Sequence, residues 1–239
     1  MRKTWVIPDI HGCSKTLRAL FEYYINPSKD DELYFLGDYI DRGPDSKGVI
    51  DFIMDLQKQG FVVNLLKGNH EESCVNACAE EKKLKSFIGI RGRNATKAAW
   101  KQFGGKETMH SFGITDLNDM PQKYIDWMDR QPVYIELEKF LLVHAGLDYS
   151  LDKPLEDEYS MLWLRDFDAQ TTKIGGKVLI HGHVPLPLEE IFIMRDKSEQ
   201  FGHIDLDNGV YMVGREGYGN LVALELTSME LYSQYNLDM

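Results

Sequence analysis

Through its first third the chain alternates short unbroken apolar runs with stretches whose apolar residues recur at helical spacing. TWVI (4–7) is followed by residues 14–25, where Leu17, Leu20, Phe21 and Tyr24 share a helical face and Ser14 stands where a cap belongs. LYFL (33–36) precedes a helix expected from Ser46, with Val49, Ile50, Ile53 and Leu56 on one side until Gly60 stops it. FVVNLL (61–66) is the third run and leads into KGNHEES. Unbroken apolar strands between amphipathic helices predict a buried sheet of parallel strands joined by right-handed crossovers. Strand C-termini then share one edge, where ligands bind, so Asp9, Asp38 and Asn69 are expected to converge from three neighbouring strands.

Further along, Pro121 is expected to open a helix carrying Ile125, Trp127 and Met128. VYIEL (133–137) and FLLV (140–143) read as strands, the second running into HAG, and KVLI (177–180) runs into HGHVP. From about 204 to 235 the alternation resembles an antiparallel meander. Residues 80–110, with EKKLK, RGR and a glycine pair, mark the expected flexible excursion, its basic residues forming a solvated face. Nothing suggests a repeat or a linker, so residues 1–239 are read as one domain.

Composition narrows the function classes. With 43% apolar and 27% charged residues the chain can build a core, which excludes global disorder. A net charge of −11 argues against duplex nucleic acid as a partner, so an anionic substrate needs a local positive site. Three cysteines (Cys13, Cys74, Cys78) do not suggest a disulfide framework, and no apolar run approaches the ~20 residues of a membrane span. A cytoplasmic protein without a membrane partner is the resulting expectation.

The histidines carry the chemistry. Five of the seven, His11, His70, His144, His181 and His183, follow directly on an apolar run or its turn, whereas His110 and His203 read as ordinary hydrogen-bonded residues. Asp9, His11, Asp38, Asn69, His144 and His183 all fall where strands end on one edge. Mixed oxygen and imidazole donors without a thiolate suit manganese, iron or zinc. His181, two residues before His183, would face the same side of a continuing strand and is expected to support the site or be incidental. Cys74 and Cys78 share a helical face with His70 but lack a fourth ligand, and are expected in the core.

PDIHG (8–12), GDYIDRG (37–43), GNHE (68–71), HAG (144–146) and HGHVP (181–185) resemble, in order, five signatures of the calcineurin-like metallophosphoesterases. The DRG and GNHE forms resemble more narrowly the phosphoprotein phosphatases acting on serine and threonine, in their bacterial and phage branch. WKQFGGKETMHSFG (100–113) and MLWLRD (161–166) are similar to further segments of that branch. Pro8 replaces the usual glycine and Val184 the usual threonine, and neither change removes a ligand.

The resemblance implies an α/β fold, a layered αββα sandwich with a mixed central sheet pair flanked by helices. It implies two divalent ions, manganese foremost with iron or zinc as alternatives. Asp9, His11 and Asp38 would hold one ion and Asp38, Asn69, His144 and His183 the other, with Asp38 bridging. Ions ~3.5–4 Å apart acidify a shared water for in-line attack on phosphorus. Arg42 and Arg165 would grip phosphate oxygens, and His70, oriented by Asp41, would protonate the leaving alkoxide. The implied substrate is phosphoserine or phosphothreonine on proteins; diadenosine tetraphosphate is the alternative, with Phe103, His110, Phe112 and Trp163 available to stack on a base. A catalytically silent scaffold is the third reading, opposed by the complete ligand set.

Overall fold

In the computed structural model, which describes residues 2–87 and 94–239, two mixed sheets lie face to face with helices outside them. Strands β1 (Thr4–Ile7), β2 (Glu32–Phe35) and β3 (Val62–Leu65) are parallel in the order β3-β2-β1, with Ile7 opposite Phe35 and Phe35 opposite Leu65. Helices α1 (Ser14–Leu20), α2 (Ser46–Lys58) and α3 (Asn69–Phe87) follow the three strands in turn. In the second sheet, β4 (Tyr134–Glu136) runs antiparallel to β5 (Phe140–Val143), and β5, β6 (Val178–His181) and β7 (His203–Asp205) are parallel. Strands β8 (Asn220–Glu225) and β9 (Glu230–Tyr235) form an antiparallel pair that joins the first sheet beside β1.

The two-residue period of a strand explains the layering. Trp5 and Ile7 point into the core beneath α1 and α2, while Val6 between them faces the other sheet. On β5 the arrangement is mirrored: Leu142 faces the first sheet, and Leu141 and Val143 pack outward against Met161 and Ile174. Both faces of these strands are dry, which is why they read as unbroken apolar runs.

Two local expectations are corrected. Ser14 is the first residue of α1 and not its cap; its hydroxyl donates to Asp45 Oδ2 at 2.6 Å, tying α1 to the start of α2. Asp45 does cap α2, accepting from the Gly48 amide at 2.9 Å. The expected meander is only the β8–β9 hairpin, because β7 pairs parallel with β6 in the other sheet and 206–219 forms turns. Alternating apolar positions mark a two-faced strand without saying which sheet it joins.

The expected excursion is largely helical. After α3 come α4 (Ala95–Trp100), a π turn (Lys101–Gly105) and α5 (Lys106–Ser111), while Arg91–Arg93 lies outside the described residues. Next, α6 (Gln122–Asp129) starts directly after Pro121 as anticipated, and α7 (Glu158–Trp163) lies against the outer face of the second sheet. Cys74 and Cys78 are buried on α3. Among the described residues no helix is long and apolar enough to cross a membrane.

Candidate active site

The turns after β1 and β2 and after the β6 end of the second sheet meet at the edge predicted from the crossovers. The chain makes these turns in a conformation few side chains adopt: His11, Asp38, Asp41, Arg42 and His183 all have positive φ, between 46° and 76°. Non-glycine residues held there cost ~1–3 kcal/mol each, so the surroundings must over-determine them.

Glu71, buried in the first turn of α3, supplies much of that restraint. Its Oε2 accepts from the amides of Asp38 (2.8 Å) and Gly68 (3.0 Å), and its Oε1 from Tyr39 (2.9 Å) and Ile40 (3.3 Å). Burial foremost, with the charge of Asp38, pushes this carboxyl up to about 8 against the pull of His70 and the amide donors, so the four amides are what favour its ionised form. Two oxygens that only accept are what the ionised form provides. Sequence reasoning missed Glu71 although it belongs to the GNHE stretch, because a buried clamp and a surface carboxylate look alike in a sequence.

Around Asp38 the donor atoms converge. Leu36 and Ile40 carbonyls lie 3.0 Å from His144 Nδ1 and His11 Nδ1, so both rings carry their proton there and leave Nε2 as a lone pair. His144 Nε2 then stands 2.9 Å from Asn69 Oδ1 and 3.5 Å from Asp38 Oδ1. His11 Nε2 stands 3.6 Å from Asp38 Oδ2, and His183 Nδ1 lies 3.1 Å from Asn69 Oδ1. The lone pairs of His11 Nε2 and His144 Nε2 thus face the oxygens of Asp38 and Asn69, which is repulsive unless a cation sits among them, so these residues fit a divalent ion.

Two donor groups whose atoms lie within 4.8 Å of one another share Asp38: one with His144 and His183, the other with His11 and His70. Asp9 belongs to neither group, its carboxylate accepting the His183 amide at 3.1 Å. Burial, Asp207 and Asp38 raise its pKa, strain that an adjacent cation would relieve. Burial likewise pushes Asp207 up to about 7, and its Oδ2 is buried without a hydrogen-bond partner. Burial also opposes the charge of Asp38, but the surrounding histidines, His144 foremost, hold its carboxyl well below the usual range.

The residues expected to handle protons and phosphate sit beside this cluster. His70 Nδ1 donates to Asp41 Oδ2 at 2.7 Å, and Arg42 Nη2 lies 3.3 Å from His70 Nε2. Burial alone would lower His70, yet Asp38 and the bond to Asp41 raise it. Asp41 is fixed by Trp100 Nε1 (2.8 Å) and Thr108 Oγ1 (2.6 Å). The glycine pair between them is explained by space: a Cβ on Gly105 would lie 2.5 Å from the Trp100 ring, and one on Gly104 would lie 2.4 Å from the Arg42 amide. Tyr211, not anticipated, lies edge-on to His11 and beneath the Arg42 guanidinium, 4.3 Å away. Arg165 is exposed; burial foremost, then the charges of His144 and Arg165, push His183 down to about 3 against the pull of Asp38.

His181 departs from the shared-side expectation. The strand ends at His181 and His183 takes a φ of 76°, so the two-residue alternation does not extend to it. His181 pairs instead with His203 (Nε2 to Nδ1, 2.9 Å) behind Phe167. Of the rings considered for stacking, Phe103 lies edge-on to His70 at 6.3 Å and Trp163 donates to Glu72 at 2.9 Å. Phe112 is committed to packing on Tyr124, 4.8 Å away, and His110 is exposed two residues beyond Thr108, on the far side of α5.

A family model described as calcineurin-like phosphoesterase matches residues 2–215. The symmetrical bis(5'-nucleosyl)-tetraphosphatase of Erwinia tasmaniensis is 32% identical over 146 residues, 60% of this chain and 44% of that protein. Its counterpart in Pectobacterium carotovorum is 31% identical over 157 residues, 63% of this chain and 46% of that protein. The matched region thus spans under half the length of these curated relatives. In fold, the chain is similar to a putative diadenosine tetraphosphatase (TM-score 0.60, 18% identity, 97% of this chain and 92% of that one). It is also similar in fold to a serine/threonine phosphatase from Saccharomyces cerevisiae (TM-score 0.63, 13% identity, 100% and 81%).

Proposed function

The chain belongs to the calcineurin-like phosphoesterase family, and from that premise we propose that it is a two-metal hydrolase cleaving a dinucleoside polyphosphate. The observation that carries the hydrolase reading is the meeting of histidine lone pairs and the Asn69 oxygen around one buried aspartate, Asp38. Asp9, His11 and Asp38 would hold one ion, and Asp38, Asn69, His144 and His183 the other. Bound there, the ions would supply a nucleophilic water at neutral pH and offset charge gathering on phosphorus.

The remaining work falls to side chains of the chain itself. Arg42, braced on Tyr211, and Arg165 bind the non-reacting phosphate oxygens, where a guanidinium fork matches two oxygens at once. Water adds to phosphorus and gives up one proton to solvent as the opposite P–O bond breaks, and the electron pair leaves with the departing oxygen. His70 delivers a proton to that oxygen from Nε2 while Asp41 holds Nδ1. The intact donor set opposes a silent scaffold.

For the substrate, support comes from the tetraphosphatase names of the two curated relatives and from the aromatic rings Phe103 and Trp163 beside the site. We therefore favour a dinucleoside polyphosphate over phosphoserine and phosphothreonine as the substrate class. One observation favours the phosphoprotein reading: a histidine locked by a buried aspartate serves a poor leaving group such as a serine alkoxide more than it serves a nucleoside diphosphate. Turnover of diadenosine tetraphosphate and of a phosphoserine peptide, measured with manganese, separates the two. The proposal expects the dinucleotide to be preferred in kcat/KM by at least about tenfold; preference for the peptide would sink it.

A further inference from the structure

Beside His70 opens a cleft of about 360 Å³ lined by Arg42, Lys101, Gln102, Phe103, Gly104, Lys106 and Glu107. Three of these residues are cationic and one is anionic, in a chain whose net charge is −11. Among the described residues neither Lys101 nor Lys106 forms an ion pair, whereas Lys47, Lys58, Lys67, Lys97, Lys153 and Lys177 all do. A locally positive cleft on an acidic protein concentrates anions that the rest of its surface repels.

The cleft has a fixed wall. Lys101–Gly105 is a π turn broken by Gly104 at φ 110°, and its backbone lies so close to Arg42 that no side chain could intervene at Gly104. Such turns recur at functional sites. Here Phe103 is left 47% exposed with its ring edge-on to His70. An apolar ring held in the open between two unpaired lysines is poorly explained by packing.

Position supplies the assignment. His70 faces the departing oxygen, so whatever lies beyond His70 meets the leaving group. Resting on the reading above, we infer that this cleft is the leaving-group subsite and takes a nucleoside diphosphate, Lys101 and Lys106 binding its phosphates and Phe103 stacking on its base. A phosphopeptide leaving group needs neither the lysine pair nor the exposed ring.

The experiment uses the full chain loaded with manganese, p-nitrophenyl phosphate as reporter, and ADP or inorganic diphosphate as competitor. Lys101→Ala/Lys106→Ala is expected to weaken inhibition by both competitors about tenfold. Phe103→Ala is expected to weaken ADP about tenfold and inorganic diphosphate less than about twofold, since only ADP carries a base. Losses in reporter turnover should be at least about fivefold smaller than these. Unchanged ADP inhibition in both variants overturns the subsite, and so does an equal loss on the reporter. Hydrolysis of diadenosine tetraphosphate by the unaltered protein is scored separately: its absence sinks the substrate reading while the ADP measurements still decide the cleft.

Discussion

Two histidine pairs flank the end of β6, and only one of them is suited to hold a metal. His144 and His183 lie 5.0 Å apart, centroid to centroid, at 70°, while His181 and His203 lie 5.1 Å apart at 17°. The spacing is nearly the same, yet the proton accounts differ. His181 Nδ1 reaches the Gly182 carbonyl at 3.1 Å and its Nε2 accepts from His203 Nδ1 at 2.9 Å, so each lone pair facing inward meets a proton. In the first pair, His144 Nε2 lies 3.2 Å from His183 Nδ1 but also faces Asn69 Oδ1 and Asp38 Oδ1, neither of which can donate, so acceptors outnumber protons there. A metal site is therefore recognised by unmatched acceptors around a charge, and histidine proximity alone is no guide.

Asp38→Asn strikes hardest at this contrast. It should lower metal affinity at both positions by more than the ~10–100-fold that loss of a ligand's hydrogen-bond partner costs. Metal counting by mass spectrometry checks this, and one fully occupied position would refute bridging. His70→Asn should keep metal and lose ~10²–10⁴-fold on alkyl phosphate esters, with a smaller loss on aryl phosphates and anhydrides. Equal losses across leaving groups would remove His70 as the proton donor.

Glu71→Gln attacks the clamp and spares the ligands. The new amide would confront backbone donors, at a cost of about 2–4 kcal/mol in urea unfolding, with metal affinity falling ~10–100-fold. Stability unchanged in that variant would mean the left-handed turns are held by something else. His181→Gln is the gentlest change and sharpens the comparison from the other side, since metal content should stay within about twofold.

The same variant has a pH signature. Burial and His203 push His181 from the ordinary 6.5 down to about 3. Unfolded chain therefore binds more protons than folded chain between those values, so the neutral ring contributes stability that is present above pH 6.5 and lost as pH falls toward 3. In metal-free protein, His181→Gln should flatten this acid-side decline by up to about 1.4 kcal/mol per pH unit. An unchanged slope would contradict burial as the cause.

Legibility in the sequence followed the range of the forces involved. Strands β1, β2 and β3, both ends of α2 and the start of α6 were readable because apolar periodicity, proline and stop residues act within a few positions. The same local rule failed at Ser14, whose hydroxyl found Asp45 across the chain, and at β7, whose alternation fits either sheet. The candidate ligands were named because they end apolar runs, but Tyr211, Asp207 and the hold of Trp100 on Asp41 had no local mark.

Alternation of apolar strands and amphipathic helices determined by itself that a parallel sheet would form and that its carboxyl edge would gather aspartates and histidines. Tertiary structure alone decided which imidazole nitrogens face Asp38, that His181 turns away from His183, and that Phe103 stands open beside His70. The physical reason is that hydrophobic periodicity is a property of neighbouring residues. A lone pair's partner is a property of space, set by left-handed turns and backbone carbonyls dozens of residues away.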